Sequence, residues 1–200
     1  MITANQRALE LIRSRGGTIR TSDALTAGIH RRTLYAMRDT GQLELLTRGL
    51  YRLAELDPSA DPDLALVAGR IQHGVVCLIS ALAIHDLTTQ IPRAVHLAIP
   101  RRARYPSLPE VALEVYRFAD ASYEAGIIEV EQDDFTMRVY DADKTVADCF
   151  KYRNKIGIDL MIEALKTRRR QSDWNPQRIL EYARINRVAK PLTPYLEAIL

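Results

Sequence analysis

Hydrophobic positions along this chain change period several times, and the changes divide it. Leu25, Ile29, Leu34 and Met37 recur at helical spacing and predict an inner face shared by two short helices. Before them, Ala8, Leu9, Leu11 and Ile12 predict a helix from about Ala4 to Arg15, capped by Thr3 and ended by Gly16-Gly17. Thr18 to Arg20 reads as a short strand. Thr21 is expected to cap a helix over Ser22 to Ala27, and Gly28 makes the turn. The next helix starts at Ile29 or His30 and stops at Gly41. Leu43, Leu45 and Thr47 then rise, Arg48-Gly49 turns, and Leu50 to Leu53 return as a hairpin. Two helices, a turn and a hairpin over Thr21–Leu53 are the plan of a winged helix-turn-helix, whose second helix lies in the DNA major groove.

Asp57 to Pro62 breaks the periodicity with turn residues and marks a close-set boundary. The expected division is a winged helix over residues 1–56 and a larger mixed α+β domain over 61–200. In the second part Asp61 caps and Pro62 opens a helix to about Gln72. Val75 to Leu78 is a short apolar run, and Ser80 is expected to cap a small-residue helix to His85. Ala94–Ile99 alternates through Val95, Leu97 and Ile99, and Val111–Phe118 through Val111, Leu113 and Val115. Gly126–Val130 and Phe135–Tyr140 predict two more strands around a Gln132-Asp133-Asp134 turn. From Asp141 the period becomes helical, with Val146, Cys149 and Phe150 inward, until Gly157. Ile158, Met161, Ile162 and Leu165 mark another helix, Asn175-Pro176 opens a third, and Pro191 and Pro194 frame the last. The fold class is α+β, a small sheet with C-terminal helices.

Charge sharpens this picture. Residues 1–54 hold nine arginines, no lysine and four acids, a balance of +5, whereas the remainder of the 200-residue chain balances at −2. A basic N-terminal segment is the electrostatic footprint of a nucleic-acid binder. Arginine also pairs bidentately with phosphate and guanine. On the second helix Arg31, Arg32, Tyr35 and Arg38 fall on the outer side, with no acid before Asp39. They are the candidate readers of bases or backbone. Thr21, Ser22 and Thr33 are candidate phosphate-contacting hydroxyls, and Arg48 and Arg52 candidate wing contacts. His30 is expected to cap the helix or lie near phosphate.

Composition bounds the alternatives. No run of roughly 18 apolar residues and no export signal is present, so a cytoplasmic protein is expected. Cys77 and Cys149, distant and in apolar contexts, are expected as buried free thiols. His73, His85 and His96 lack metal-ligand spacing, and no nucleotide or hydrolase fingerprint occurs, so no metal, cofactor or catalytic residue is assigned. Asp133 and Asp134 suit a turn, and Asp141 and Asp143 a helix start, better than a nuclease centre. Lys151, Tyr152, Arg153 and Lys155, and Lys166, Arg168, Arg169 and Arg170, form two further basic clusters. They are a candidate second nucleic-acid surface, or simply the cationic ends that helices favour. A nuclease-like enzyme and a ligand-sensing regulator are the competing functions.

Three stretches resemble the AbiEi family of bacterial antitoxins from type IV toxin–antitoxin systems. They are Thr47–Leu53 at the end of the winged helix, Ser80–Pro92, and Lys144–Gly157. The resemblance implies a transcriptional repressor of its own operon, bound to inverted repeats in its promoter. It also implies a C-terminal antitoxin domain that opposes a nucleotidyltransferase-like toxin encoded alongside. That family implies no stable complex between antitoxin and toxin, so direct binding is not assumed.

Overall fold

The computed structural model describes residues 3–56, 61–132 and 135–199. They form two compact units, residues 1–72 with 130–137, and 73–129 with 138–200.

The first unit opens with α1 (Ala4–Arg13). Thr3 Oγ1 accepts from the Gln6 amide and the Gln6 side chain accepts from the Thr3 amide, so two otherwise orphaned donors are satisfied. β1 (Thr18–Arg20) runs directly into α2 (Thr21–Thr26), followed by α3 (Arg31–Asp39) and the hairpin β2 (Leu43–Thr47) and β3 (Leu50–Leu53). Thr21 is therefore the first helical residue and not the cap. Its hydroxyl donates to the Gly49 carbonyl at 3.3 Å, tying α2 to the hairpin turn. The sheet order is β1-β3-β2, antiparallel throughout, with Gly49 at φ 80° closing the hairpin. Ala8, Ile12, Ile19, Ala24, Ile29, Leu34, Met37, Leu43, Tyr51 and Leu53 make one core. Leu25, expected inside, is 40% exposed. The six-residue α2 has room for one inward turn, and Ala24 takes it.

α4 (Pro62–Arg70) is capped by Asp61 as expected, with the Leu64 amide donating to its carboxylate at 3.0 Å. The unit extends through this helix to Gln72. Arg20 donates to the carbonyls of Ala68 and Gly69, and Arg70 to that of Arg48. A Cβ at Gly69 would collide with Leu50. The boundary stretch 57–60 lies outside the described residues, as do Asp133 and Asp134.

The second unit is built on a five-stranded sheet, of which residues 130–137 fall to the first unit. In chain order its elements are β4 (Val75–Val76), α5 (Leu78–Ile84), β5 (Val95–Pro100), β6 (Leu113–Phe118), α6 (Asp120–Glu124), β7 (Ile127–Gln132) and β8 (Phe135–Tyr140). The strand order is β6-β5-β4-β8-β7. β5 pairs parallel to β6 and antiparallel to β4, and β4 pairs parallel to β8. β5 is an interior strand and buries Val95 through Ile99 without alternation. On the edge strand β6 the buried residues are Tyr116 and Phe118, the opposite phase from the Leu113 and Val115 expected. The two aromatics carry more apolar surface than the aliphatics and decide which face turns inward. Ser80 lies inside α5, not at its cap. Its hydroxyl donates to the Ala94 carbonyl at 3.3 Å and accepts from the His96 amide at 2.9 Å.

α7 (Ala142–Lys151), α8 (Arg153–Ile156), α9 (Ile158–Arg169), α10 (Pro176–Ile185) and α11 (Ala189–Glu197) follow. Asp141 caps α7 and Asn175 caps α10, both as expected. Pro191 and Pro194, expected to frame the last helix, instead lie within α11. Val146, Cys149 and Phe150 are fully buried, and both thiols are free and raised by burial. Beside them Lys144 Nζ meets both oxygens of Asp148 at 2.6 Å, with neither side chain exposed. The ammonium also lies 4.2 Å from the centre of the Tyr140 ring and 5.1 Å from that of Phe118. Asn186 donates to Asp148 and accepts from Ser122. Gly126 admits this arrangement: a Cβ there would stand 2.8 Å from the Cβ of Lys144.

Two stability measurements follow. Asp148→Ala strands a buried ammonium and should cost about 3–5 kcal/mol in urea unfolding, whereas Lys144→Met with Asp148→Leu should recover most of it. Equal loss in both variants would contradict the pair's role. Burial holds the His96 pKa below its ordinary 6.5, against Glu114 and a backbone hydrogen bond at Ala94 that raise it. The unfolded chain therefore takes up a proton as pH falls through about 6.5 while the folded chain resists it, so stability declines on acidification. His96→Gln should flatten that decline between about pH 7.5 and pH 5.5; an unchanged slope would assign it to other groups.

Candidate nucleic-acid interface

α3 carries the candidate interface residues. His30 caps it, its Nδ1 accepting the Arg32 amide at 3.3 Å. Leu34 and Met37 are fully buried and fix the helix's rotation. The four residues expected outside, Arg31, Arg32, Tyr35 and Arg38, are all exposed. Arg31 and Arg32 make no ion pair among the described residues. Arg38 is pre-positioned: it meets Asp39 at 2.7 Å and its guanidinium lies 5.4 Å from the Tyr35 ring centre. The hydrogen bond from Arg38 to Asp39 raises the arginine's pKa.

The hydroxyls differ in their freedom. Ser22 is exposed with its Oγ donating to Asp23 at 3.1 Å, Thr33 is half-buried, and Thr21 is held by Gly49. At the wing, Arg48 is exposed at the hairpin turn. Arg52, expected beside it as a DNA contact, is 8% exposed and paired with Glu44 at 2.6 Å. The reason is topological. β3 is the middle strand, and the antiparallel register sets Arg52 directly opposite Glu44.

Placement also redistributes the remaining charge. Arg13 pairs with Glu55, and Arg20 is spent on the carbonyls ending α4, where desolvation lowers its pKa. Arg7 was not singled out from the sequence. It lines a groove of about 360 Å³ with Ala4, Leu11, Gly28, His30 and Thr33. Only its outward phase on α1, next to the Ala8 and Ile12 stripe, hinted at this position.

The later basic clusters are less uniform than their sequence suggests. Lys151 is half-buried over the Phe118 and Tyr152 rings, and desolvation lowers its pKa. Arg153 donates to the Phe150 carbonyl at 2.8 Å, and Lys155 stands over Tyr116. Lys166, Arg169 and Arg170 are exposed. Arg168 is no surface residue. It is 1% exposed, pairs with Asp143 at 2.8 Å and binds Asp173 and Gln171. Its position seven residues after Met161 continues the buried stripe of Met161, Ala164 and Leu165.

The acids considered for metal chemistry are engaged by protein donors. Asp141 binds Arg178 and the Tyr182 hydroxyl, Asp143 binds Arg168, and Asp148 binds Lys144. No three His, Cys, Asp or Glu side chains converge as a metal site among the described residues. His85 is a hydrogen-bonded packing residue, its Nε2–H donating to the Tyr140 carbonyl at 2.7 Å. No helix among the described residues is long and apolar enough to cross a membrane.

Residues 6–54 match a family model described as "Transcriptional regulator, AbiEi antitoxin". This bears out the resemblance over the winged helix and supports a DNA-binding regulatory role. No curated protein matches. Among solved structures, the chain is similar to the crystal structure of RV2827C protein from Mycobacterium tuberculosis. That likeness has a TM-score of 0.52 at 15% identity over 97% of this chain and 80% of the other, and it speaks to fold alone.

Arg52→Ala should lower the protein's stability by about 1–3 kcal/mol, through loss of a buried arginine and its charge-assisted hydrogen bond to Glu44. It should leave the salt dependence of DNA binding unchanged. A lowered salt slope with unaltered stability would return Arg52 to the interface.

Proposed function

With the AbiEi match as premise, we propose that the chain is a sequence-specific transcriptional repressor and antitoxin of a type IV toxin–antitoxin system, and that it acts in the cytoplasm. The observation that supports this best is the outer face of α3, where Arg31 and Arg32 pair with no carboxylate among the described residues, on a winged-helix scaffold. In this reading residues 1–56 are the DNA-binding head. Arg31, Arg32, Tyr35 and Arg38 enter the major groove, Thr21, Ser22 and Thr33 set the phosphate register, and Arg48 reaches the backbone from the wing. Inverted repeats in the chain's own promoter place two protomers on the DNA, and repression is autoregulatory. The body, residues 61–200, counteracts a nucleotidyltransferase-like toxin without requiring a stable complex with it.

The test is a titration of the full chain against duplex from immediately upstream of its gene, with random duplex as control, at two salt concentrations. Preference for the upstream duplex is expected. Arg31→Ala and Arg32→Ala should each cost roughly 1–3 kcal/mol on that duplex and much less on random DNA. Arg48→Ala should weaken both alike and lower the salt slope by about one. Equal losses on both duplexes for Arg31 and Arg32 would remove them from base reading.

A further inference from the structure

Within the second unit, residues 101–112 connect β5 to β6. The loop is fastened from inside: Leu108 and Val111 are buried, and the Val111 amide donates to the Leu108 carbonyl at 3.1 Å. At its start the Ala103 amide donates to Pro100 at 3.0 Å. From β6, where it stands opposite Ile99, Arg117 donates to the Arg101 carbonyl at 2.6 Å. Exposed in this loop are Arg101, Arg102, Arg104 and Tyr105, with Glu110 near its far end, beside the exposed Arg117. None of these four arginines pairs with a carboxylate among the described residues. Nearby Glu114 accepts from the Tyr116 hydroxyl instead.

Ordinary solvated faces mix signs. Here four guanidiniums gather on a part of the chain that balances at −2 from residue 55 onward. Around Lys151, by contrast, the cations lie over rings, and Arg168 is held in ion pairs. We infer that this loop is a second phosphate-binding surface, and that it takes the backbone of duplex DNA flanking the site held by the winged helix. The inference rests on the DNA-binding reading above. Head and body share one chain, so duplex held by the head raises the local phosphate concentration at the body and weak contacts count. Arginine forks suit phosphate oxygens and add affinity without reading sequence. A single-stranded partner would call for a series of stacking aromatics, and Tyr105 is the one exposed ring in the loop.

The experiment compares full-length protein with Arg101→Ala/Arg102→Ala/Arg104→Ala; Arg117 is left in place because it fastens the loop. Each protein is titrated against a duplex covering only the upstream site and one extended by two helical turns on each side. Wild type should gain affinity from the extension. The triple variant should match wild type on the short duplex, lose that gain, and show a salt slope lower by roughly 2 to 3 on the long one. Arg102→Glu gives the same readout should the triple variant fold poorly. Equal behaviour of variant and wild type on the long duplex overturns the proposal. So does a loss confined to single-stranded RNA of the same length. Failure of the head reading is seen separately, as absence of preference between upstream and random duplex, while the extension effect is still read on random DNA.

Discussion

An ammonium and a carboxylate closed off from water organise the C-terminal body. Removing Lys144 and Asp148 from solvent costs several kcal/mol per ion, and only close and complete pairing offsets it. The pair meets that demand with two 2.6 Å contacts, the faces of Tyr140 and Phe118, and the amide of Asn186. These partners come from β6, β8, α7 and the end of α10. None can be misplaced without leaving a charge uncompensated, so the pair couples the sheet to the helices as a single cooperative unit.

The winged helix shows how charge placement differs from charge composition. Nine arginines in 54 residues announce an affinity for polyanions. The fold then commits several of them elsewhere: Arg13 to Glu55, Arg20 to the end of α4 and Arg52 to Glu44. What remains uncompensated is concentrated on α3, at the hairpin turn and along α1. The working surface is smaller than the arithmetic suggests, and more sharply defined.

Much of this was legible in the sequence where a local rule decides. The caps at Thr3, Asp61, Asp141 and Asn175, the Arg48-Gly49 hairpin and the inward phase of Leu34 and Met37 depend on near neighbours. The rest depended on tertiary context. Ser80 reads as a cap until β5 brings His96 and Ala94 to its hydroxyl. Arg52 reads as a wing contact until β3 becomes the middle strand, and β6 turns its aromatics rather than its aliphatics inward. Arg168 was the more recoverable case. Its helical phase from Met161 already pointed to the interior, but membership in a basic run concealed it.

Gly126 carries a consequence beyond its own turn. The space a side chain would fill there is occupied by the stem of Lys144 and the carboxylate of Asp141. A side chain at 126 would press on the Cβ of Lys144, an atom that any residue but glycine brings to that place, so the first turn of α7 itself would have to shift. The turn at Gly126 and the start of α7 are therefore fitted to one another at the level of the backbone, and neither can be remodelled without the other.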